Sequence, residues 1–252
     1  MNHLGQPSRY LTPDWPAPAN VCSISTCRGL MVNESLAGLT GFNLARHVQD
    51  SSERVLQHRS ELQQDLHLKR QPFWLNQTHS TQLLSLPAQT GRYHCDGSYT
   101  QAKHWPCVVM TADCLPVLLC NTSGTQVAAV HAGWQGLASG ILTKAIAKFP
   151  DPTQVMVWLG PAIGPDAFEV GVDVLQAFGV EPLSNCKEFV AIKTKPNKWL
   201  GNLYALATKQ LAGLGVKLIY GGNECTFSDE KRFYSHRRDP SSGRMASLIW
   251  IV

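Results

Sequence analysis

Apolar residues fall mostly in short unbroken runs along this chain, and in helical spacing at only a few places. The densest runs are 116–120 and 126–130, with the turn-forming residues 121–124 between them. That is the pattern of two buried strands joined as a hairpin. Residues 21–25, 107–110, 154–159, 216–220 and 246–252 read as further strands, and extended runs across 72–86 flank a polar stretch at 76–80. Four segments predict helices. Residues 51–69 set Val55, Leu56, Leu62 and Leu66 among charges, opened by Ser51 or Ser52 with Glu53 close behind, which reads as an amphipathic surface helix. Leu137, Ile141, Ala145 and Phe149 share one face of a helix over 137–149. Residues 172–178 and 203–214 are the other two, the last ended by Gly215. The Pro-rich residues 1–20 predict a surface wrap, 38–50 and 87–99 predict loops with Asp96-Gly97 as turn chemistry, and 181–200 reads as irregular. No repeat, low-complexity tract or linker divides the chain, so the expectation is one α+β domain over residues 1–252.

Composition narrows the classes. Hydrophobic content of 44% and charged content of 16% suit a globular protein with a large core. The net charge of +4 is mild and no Lys/Arg stripe is interleaved with aromatics, so no nucleic-acid partner is expected, while a small anionic substrate fits. The N-terminus has no apolar signal core and no stretch approaches membrane-spanning length, which predicts a cytoplasmic protein without a membrane partner. In that compartment the 8 cysteines are thiols or ligands rather than disulfides. Cys107 and Cys120 sit inside apolar runs as structural thiols, and the absence of a CxxC pair argues against a zinc knuckle.

Candidate chemistry gathers at the open end of the hairpin. Asp113 and Cys114 precede its first run and His131 follows its second, so pairing brings a thiol and an imidazole side by side. The Gly133–Gly136 turn then enters a helix, where backbone N–H groups can meet an anion. The Pro-rich loop Gly160–Pro165 is either a shaped backbone against a ligand or a plain tight turn. Asn43, Arg46, His47 and Asp50 cluster in one loop, His79 stands alone between apolar runs, and Arg237-Arg238 is either solvated or a bidentate oxyanion clamp. The Rossmann glycine pattern, the P-loop, GxSxG, HExxH and the HxE with PCxxC pair of nucleobase deaminases are all absent. Two chemistries remain open. His79, Cys114 and His131 can form a single-metal site with a free fourth position, the pattern of catalytic zinc. Alternatively Cys114 is a nucleophile with a histidine as its base.

The segments TADCLPVLLC, AAVHAGWQG, WLGPAIGPDAFEVG and FYSHRRDPSSGRMASLIWI, in this order, closely resemble the YfiH-like proteins. That family carries the label multicopper polyphenol oxidoreductase or laccase and is associated with purine nucleoside phosphorolysis. The resemblance runs from about Val21 to Val252. It implies an α+β fold, a four-layer α-β-β-α sandwich related to the catalytic domain of cytotoxic necrotizing factor, with its Cys–His pair. It implies zinc on His79, Cys114 and His131. It implies a purine nucleoside phosphorylase that converts adenosine, inosine, guanosine or methylthioadenosine to base and ribose 1-phosphate, with adenosine deaminase activity. Its rival readings are an amidase that edits peptidoglycan precursors in the cytosol, using Cys114 or zinc-bound water, and a non-catalytic metal-binding partner protein. Substrate and phosphate helpers fall on Asn43, Arg46, His47, Arg237 and Arg238, with Asp113 as the orienter of a histidine and backbone donors from the two glycine loops. A monomer is expected. The laccase label meets a physical objection: several coppers need many histidines in HxH-type clusters, and this chain has 9 histidines and no HxH pair. Zinc is the expected working ion, with Cu2+ taken up in vitro when copper is in excess. Gln135, Gly97 and Asn202 depart from the family's usual Arg, Ala and Asp.

Overall fold

The computed structural model describes residues 9–29, 39–89, 91, 93–182 and 186–252, so the first eight residues of the Pro-rich segment and Gly38 of the 38–50 loop lie outside the described residues. In chain order the strands are β1 (Tyr10–Leu11), β2 (Val21–Thr26), β3 (Leu84–Leu86), β4 (Gly97–Thr100), β5 (Cys107–Thr111), β6 (Leu115–Asn121), β7 (Val127–Ala132), β8 (Val155–Leu159), β9 (Glu169–Val170), β10 (Phe189–Ala191), β11 (Trp199–Gly201), β12 (Leu218–Gly221) and β13 (Met245–Ile251). The helices are α1 (Ser52–Asp65), α2 (Trp134–Ala138), α3 (Ile141–Ile146), α4 (Val172–Ala177) and α5 (Leu203–Gly213). The fold is mixed α/β. A six-stranded sheet runs β12-β8-β6-β7-β4-β3, a four-stranded sheet runs β1-β2-β13-β5, and β10-β11-β9 form a small third sheet.

The hairpin expected at residues 116–130 is β6–β7, antiparallel, with Pro116 opposite His131 and Leu115 opposite Ala132. Its two-residue alternation builds the core on both faces of the six-stranded sheet. Leu115, Val117 and Leu119 pack with Leu137 and Ile141 and with Leu206 and Leu211 of α5. Leu118 and Cys120 point the other way, into a cluster with Cys107 and Val109 of β5 and Ile249 and Ile251 of β13. The alternate residues of those strands, Val108, Met110, Ala246 and Leu248, join Leu62 of α1 with Phe42 and Leu44. Register therefore aims the strand ends, and with them the hairpin's open end.

Several segments differ from the sequence expectation for local reasons. The helix over 137–149 is two short helices, because Gly140 takes φ +84 between them. Residues 97–100, expected as part of a loop, are β4, paired to β7 on one side and β3 on the other. A glycine opens that strand because a Cβ at 97 would meet the carbonyl oxygen of Ala129 at 2.7 Å. The irregular stretch 181–200 contains β10 and most of β11. Across 72–86 only β3 is a strand. Helix α1 ends at Asp65, ahead of His67 with φ 49. At 202 the departure from Asp costs nothing visible: the Asn202 side chain accepts the N–H of Ala205 and caps α5.

Candidate metal centre

Asp96 is the pivot of the site. It lies fully buried just before β4. One carboxylate oxygen accepts the His131 ring at Nδ1, 2.8 Å away, and the N–H of His79 at 3.0 Å. The other accepts the N–H groups of Thr78 and Ser80 and the Ser80 hydroxyl. This one side chain thus fixes a strand-borne histidine and a loop-borne histidine relative to each other. The loop needs the support, since His79 itself sits at φ +59. A second clamp acts at Gln77, whose amide exchanges hydrogen bonds with both the N–H and the C=O of Met110 in β5.

The consequence is a cluster of three ligand atoms. His79, Cys114 and His131 each offer one donor atom, all within 4.8 Å of one another. His79 Nε2 lies 3.6 Å from Cys114 Sγ, and the two imidazole rings meet edge to face at 4.8 Å. His131 is buried, Cys114 half-buried and His79 exposed, so the ligands converge from the protein side. Burial alone would push the Cys114 thiol up, but the charge and hydrogen bond of His131 and the hydrogen bond from His79 outweigh it and hold it well below the ordinary thiol range. Burial alone would likewise lower His131, yet the Cys114 charge and the Asp96 hydrogen bond raise it. A thiolate beside two imidazoles, one of them oriented through its far nitrogen by a carboxylate, is a donor set that fits a divalent soft or borderline ion. Among the described residues it is the one group of three or more such ligands. Gly133, the residue before α2, closes over it: a Cβ there would lie 2.8 Å from His79 Cδ2 and 3.0 Å from Cys114 Sγ. Gly133→Ala is therefore expected to lose metal during dialysis that leaves the wild type loaded, with about 1–3 kcal/mol of stability lost to overpacking, checked by metal content and chemical denaturation on the same preparation.

One cavity adjoins the cluster, and a second is lined by residues three and four positions from two of its ligands. The first, of about 250 Å³, has His79 and Cys114 in its wall with the apolar Trp134, Ile163, Phe168 and Leu203, plus Arg237. The second, of about 390 Å³, is lined by Arg46, His47, Arg59, Trp74 and Met110. The structure brings Arg237 to the first cavity, over the Phe168 ring at 5.8 Å. It does not pair Arg237 with Arg238, whose guanidinium is spent on the carbonyls of Thr226, Phe227 and Phe233. Asn43 is fully buried and uses its amide on Ala45, Asp50 and the N–H of Arg244, so it shapes the loop rather than facing a ligand. Asp113, at φ +84, does not orient a histidine either. It accepts from Thr226, Ser235 and the N–H of Arg237, and Asp96 takes the role expected of it. The 160–164 loop offers no anion cradle at Gly160, Ala162, Ile163 or Gly164. Those N–H groups go to Pro116, Tyr204, Asp113 and Cys225. Gln135 is exposed.

Asp96 supports the cluster and Arg59 lines the second cavity, and neither is singled out as a site residue by the sequence. A signal existed for Arg59: it lies on the same face of α1 as the buried Val55 and Leu62, at spacings of four and three.

Residues 25–252 match the family described as multi-copper polyphenol oxidoreductase laccase. A Haemophilus influenzae protein named purine nucleoside phosphorylase is 44% identical over 241 residues, covering 95% of this chain and 98% of the relative. The Escherichia coli (strain K12) protein named purine nucleoside phosphorylase YfiH is 41% identical over 247 residues, covering 97% of this chain and 100% of the relative. The crystal structure of Neisseria meningitidis protein NMB0706 superposes with a TM-score of 0.89 at 44% identity, covering 97% of this chain and 99% of that one.

Proposed function

The chain belongs to the multi-copper polyphenol oxidoreductase laccase family, and from that premise we propose that it is a zinc-dependent purine nucleoside phosphorylase. The reaction cleaves the N-glycosidic bond of adenosine, inosine, guanosine or methylthioadenosine with inorganic phosphate, giving the free base and ribose 1-phosphate, or 5-methylthioribose 1-phosphate from methylthioadenosine. The observation that carries the reading is the position of the His79–Cys114–His131 cluster in the wall of an apolar cavity, in a chain whose relatives bear that enzyme's name. An ion held by these three residues supplies Lewis acidity at a free position, which extends the proposal to deamination of adenosine. One cluster of three ligands suits one ion, and copper captured by the same soft set in vitro would give polyphenol oxidation only as a side reaction.

The remaining roles belong to the chain. Trp134 and Phe168 give the purine aromatic surfaces, and Ile163 and Leu203 exclude water around it. Asp96 holds His131 in the tautomer that leaves its other nitrogen free toward Cys114. Arg237, fixed through its N–H to Asp113, puts a cation at the cavity wall where the departing base gathers negative charge. The proposal takes residues 1–252 as one domain of a cytoplasmic monomer. Among the described residues, no helix is long and apolar enough to cross a membrane.

The test is base release from adenosine, inosine and methylthioadenosine by the zinc-loaded full chain, with and without phosphate. The expected result needs phosphate and yields one sugar 1-phosphate per base. Base release indifferent to phosphate overturns the phosphorylase reading. Amide turnover on peptidoglycan precursors without base release replaces it with the amidase.

A further inference from the structure

The cavity of about 390 Å³ beside α1 is lined by cations that have no counter-ion among the described residues. Arg46 and His47 stand exposed at its mouth, and Arg59 forms its wall. Among the described residues no carboxylate comes within ion-pairing distance of any of the three, or of Arg244 close by. Arg59 is the most constrained. Its guanidinium lies 3.9 Å over the Trp74 ring, and two of its nitrogens donate to the Leu44 carbonyl at 2.9 and 2.8 Å. Those contacts fix the plane of the fork, and among the described residues its third nitrogen has no hydrogen-bond acceptor. Burial and the Arg46 charge bring Arg59 down to about 10. Partial burial and the guanidinium groups of Arg244 and Arg59 hold His47 below its ordinary value. A chain that gathers like charges at a partly dry wall, without acids among them, destabilises itself unless an anion joins them.

The cavity is also tied to the metal cluster. Asn76 lines the cavity and His79 is three residues on, while Met110 lines it and Cys114 is four residues on. Three or four residues span at most about 14 Å, and the Gln77–Met110 clamp locks the two segments together. The Arg244 charge lowers His47, and the Cys114 and Asp113 charges act on Arg244 in turn.

We propose that this cavity is a subsite for a tetrahedral dianion, with the third nitrogen of Arg59, a guanidinium held by Leu44 and stacked on Trp74, as its fixed donor and Arg46 and His47 closing over it. Resting on the phosphorylase reading, the dianion is inorganic phosphate and the apolar cavity with Arg237 takes the nucleoside. The same chemistry would also receive the phosphate of a nucleoside 5′-monophosphate.

Calorimetric titration of the zinc-loaded full chain with inorganic phosphate, and separately with adenosine 5′-monophosphate, tests this. In Arg59→Ala the phosphate Kd rises about 10- to 100-fold, the loss of one charge-assisted hydrogen bond. Arg59→Lys falls between, Arg46→Ala weakens phosphate less, and Arg237→Ala leaves phosphate binding unchanged. In the assay, Arg59→Ala raises KM for phosphate and leaves KM for the nucleoside as it is. Should Arg59→Ala fail to fold, Arg46→Ala, at an exposed position, carries the test. Phosphate binding that ignores both substitutions, or that disappears in Arg237→Ala, overturns the subsite. Arg59-dependent binding of the monophosphate without binding of free phosphate overturns the assignment to inorganic phosphate. Arg59-dependent phosphate binding in a protein that releases no base leaves the subsite standing and removes the phosphorylase reading instead.

Discussion

Cys114→Ser is expected to remove bound zinc and base release together. The substitution keeps the shape of a half-buried side chain at the end of β6, so the hairpin and the core beneath it stay folded. What changes is the donor. A thiolate held well below its ordinary range by His131 and His79 becomes a hydroxyl that stays protonated at neutral pH. Loss of a mere outer partner of a ligand costs about 10–100-fold in metal affinity, so loss of the ligand itself should exceed about 100-fold. Competition with a chelator measures that directly, and phosphorolysis should fall below detection at zinc concentrations that saturate the wild type. The same pair of measurements separates the two chemistries left open by the residues alone. If Cys114 is a nucleophile and not a ligand, the serine variant keeps its zinc and loses turnover. Retained zinc with retained turnover would exclude both roles.

Why the hairpin was legible and its support was not comes down to the range of the signal. Strands β6 and β7 are long apolar runs around a strong turn, and antiparallel pairing alone then brings Cys114 and His131 together. His79 is different. It reaches the cluster through a loop held by Asp96 and Gln77, contacts across 17 and 33 positions that no local pattern encodes; the residues alone offered it as one possible ligand, and the resemblance assigned it. Asp96-Gly97 reads as a turn because that dipeptide usually is one. Here Gly97 opens a four-residue strand whose need for a glycine comes from the neighbouring β7 backbone. Arg237 and Arg238 look alike in sequence and are separated by what lies around them: Arg237 lines a cavity while bonding the carbonyls of Ala167 and Glu169, and Arg238 spends its guanidinium on three carbonyls. Arginines also hide a buried role well. Arg59 reads as part of a solvated helix face until its apolar-face position and the Trp74 ring are seen together.

Asp96→Asn is expected to show that stability and the metal centre share one side chain. Five donors converge on the Asp96 carboxylate: three backbone N–H groups, the Ser80 hydroxyl and the His131 ring. An amide offers one oxygen and turns two N–H groups against donors in a site with no exposure. The cost should be about 2–4 kcal/mol, or roughly 4–16 °C in Tm for a chain of this size. Freed from the carboxylate, His131 loses its fixed tautomer and the 78–80 loop its anchor, so zinc affinity should drop about 10- to 100-fold, and excess zinc should restore part of the turnover. Acid titration supplies a further check. Burial would raise the Asp96 pKa, but the hydrogen bonds from His131 and Ser80 lower it to about 2. A carboxylate depressed by folding stabilises the protein fully above its unfolded pKa of about 4, and that contribution is lost as the pH falls toward the folded value. Wild type should therefore lose its advantage over Asp96→Asn between about pH 4 and about pH 2, with the two denaturation midpoints converging on acidification. A gap between them that stays constant across that range would mean that Asp96 acts through packing rather than through its charge.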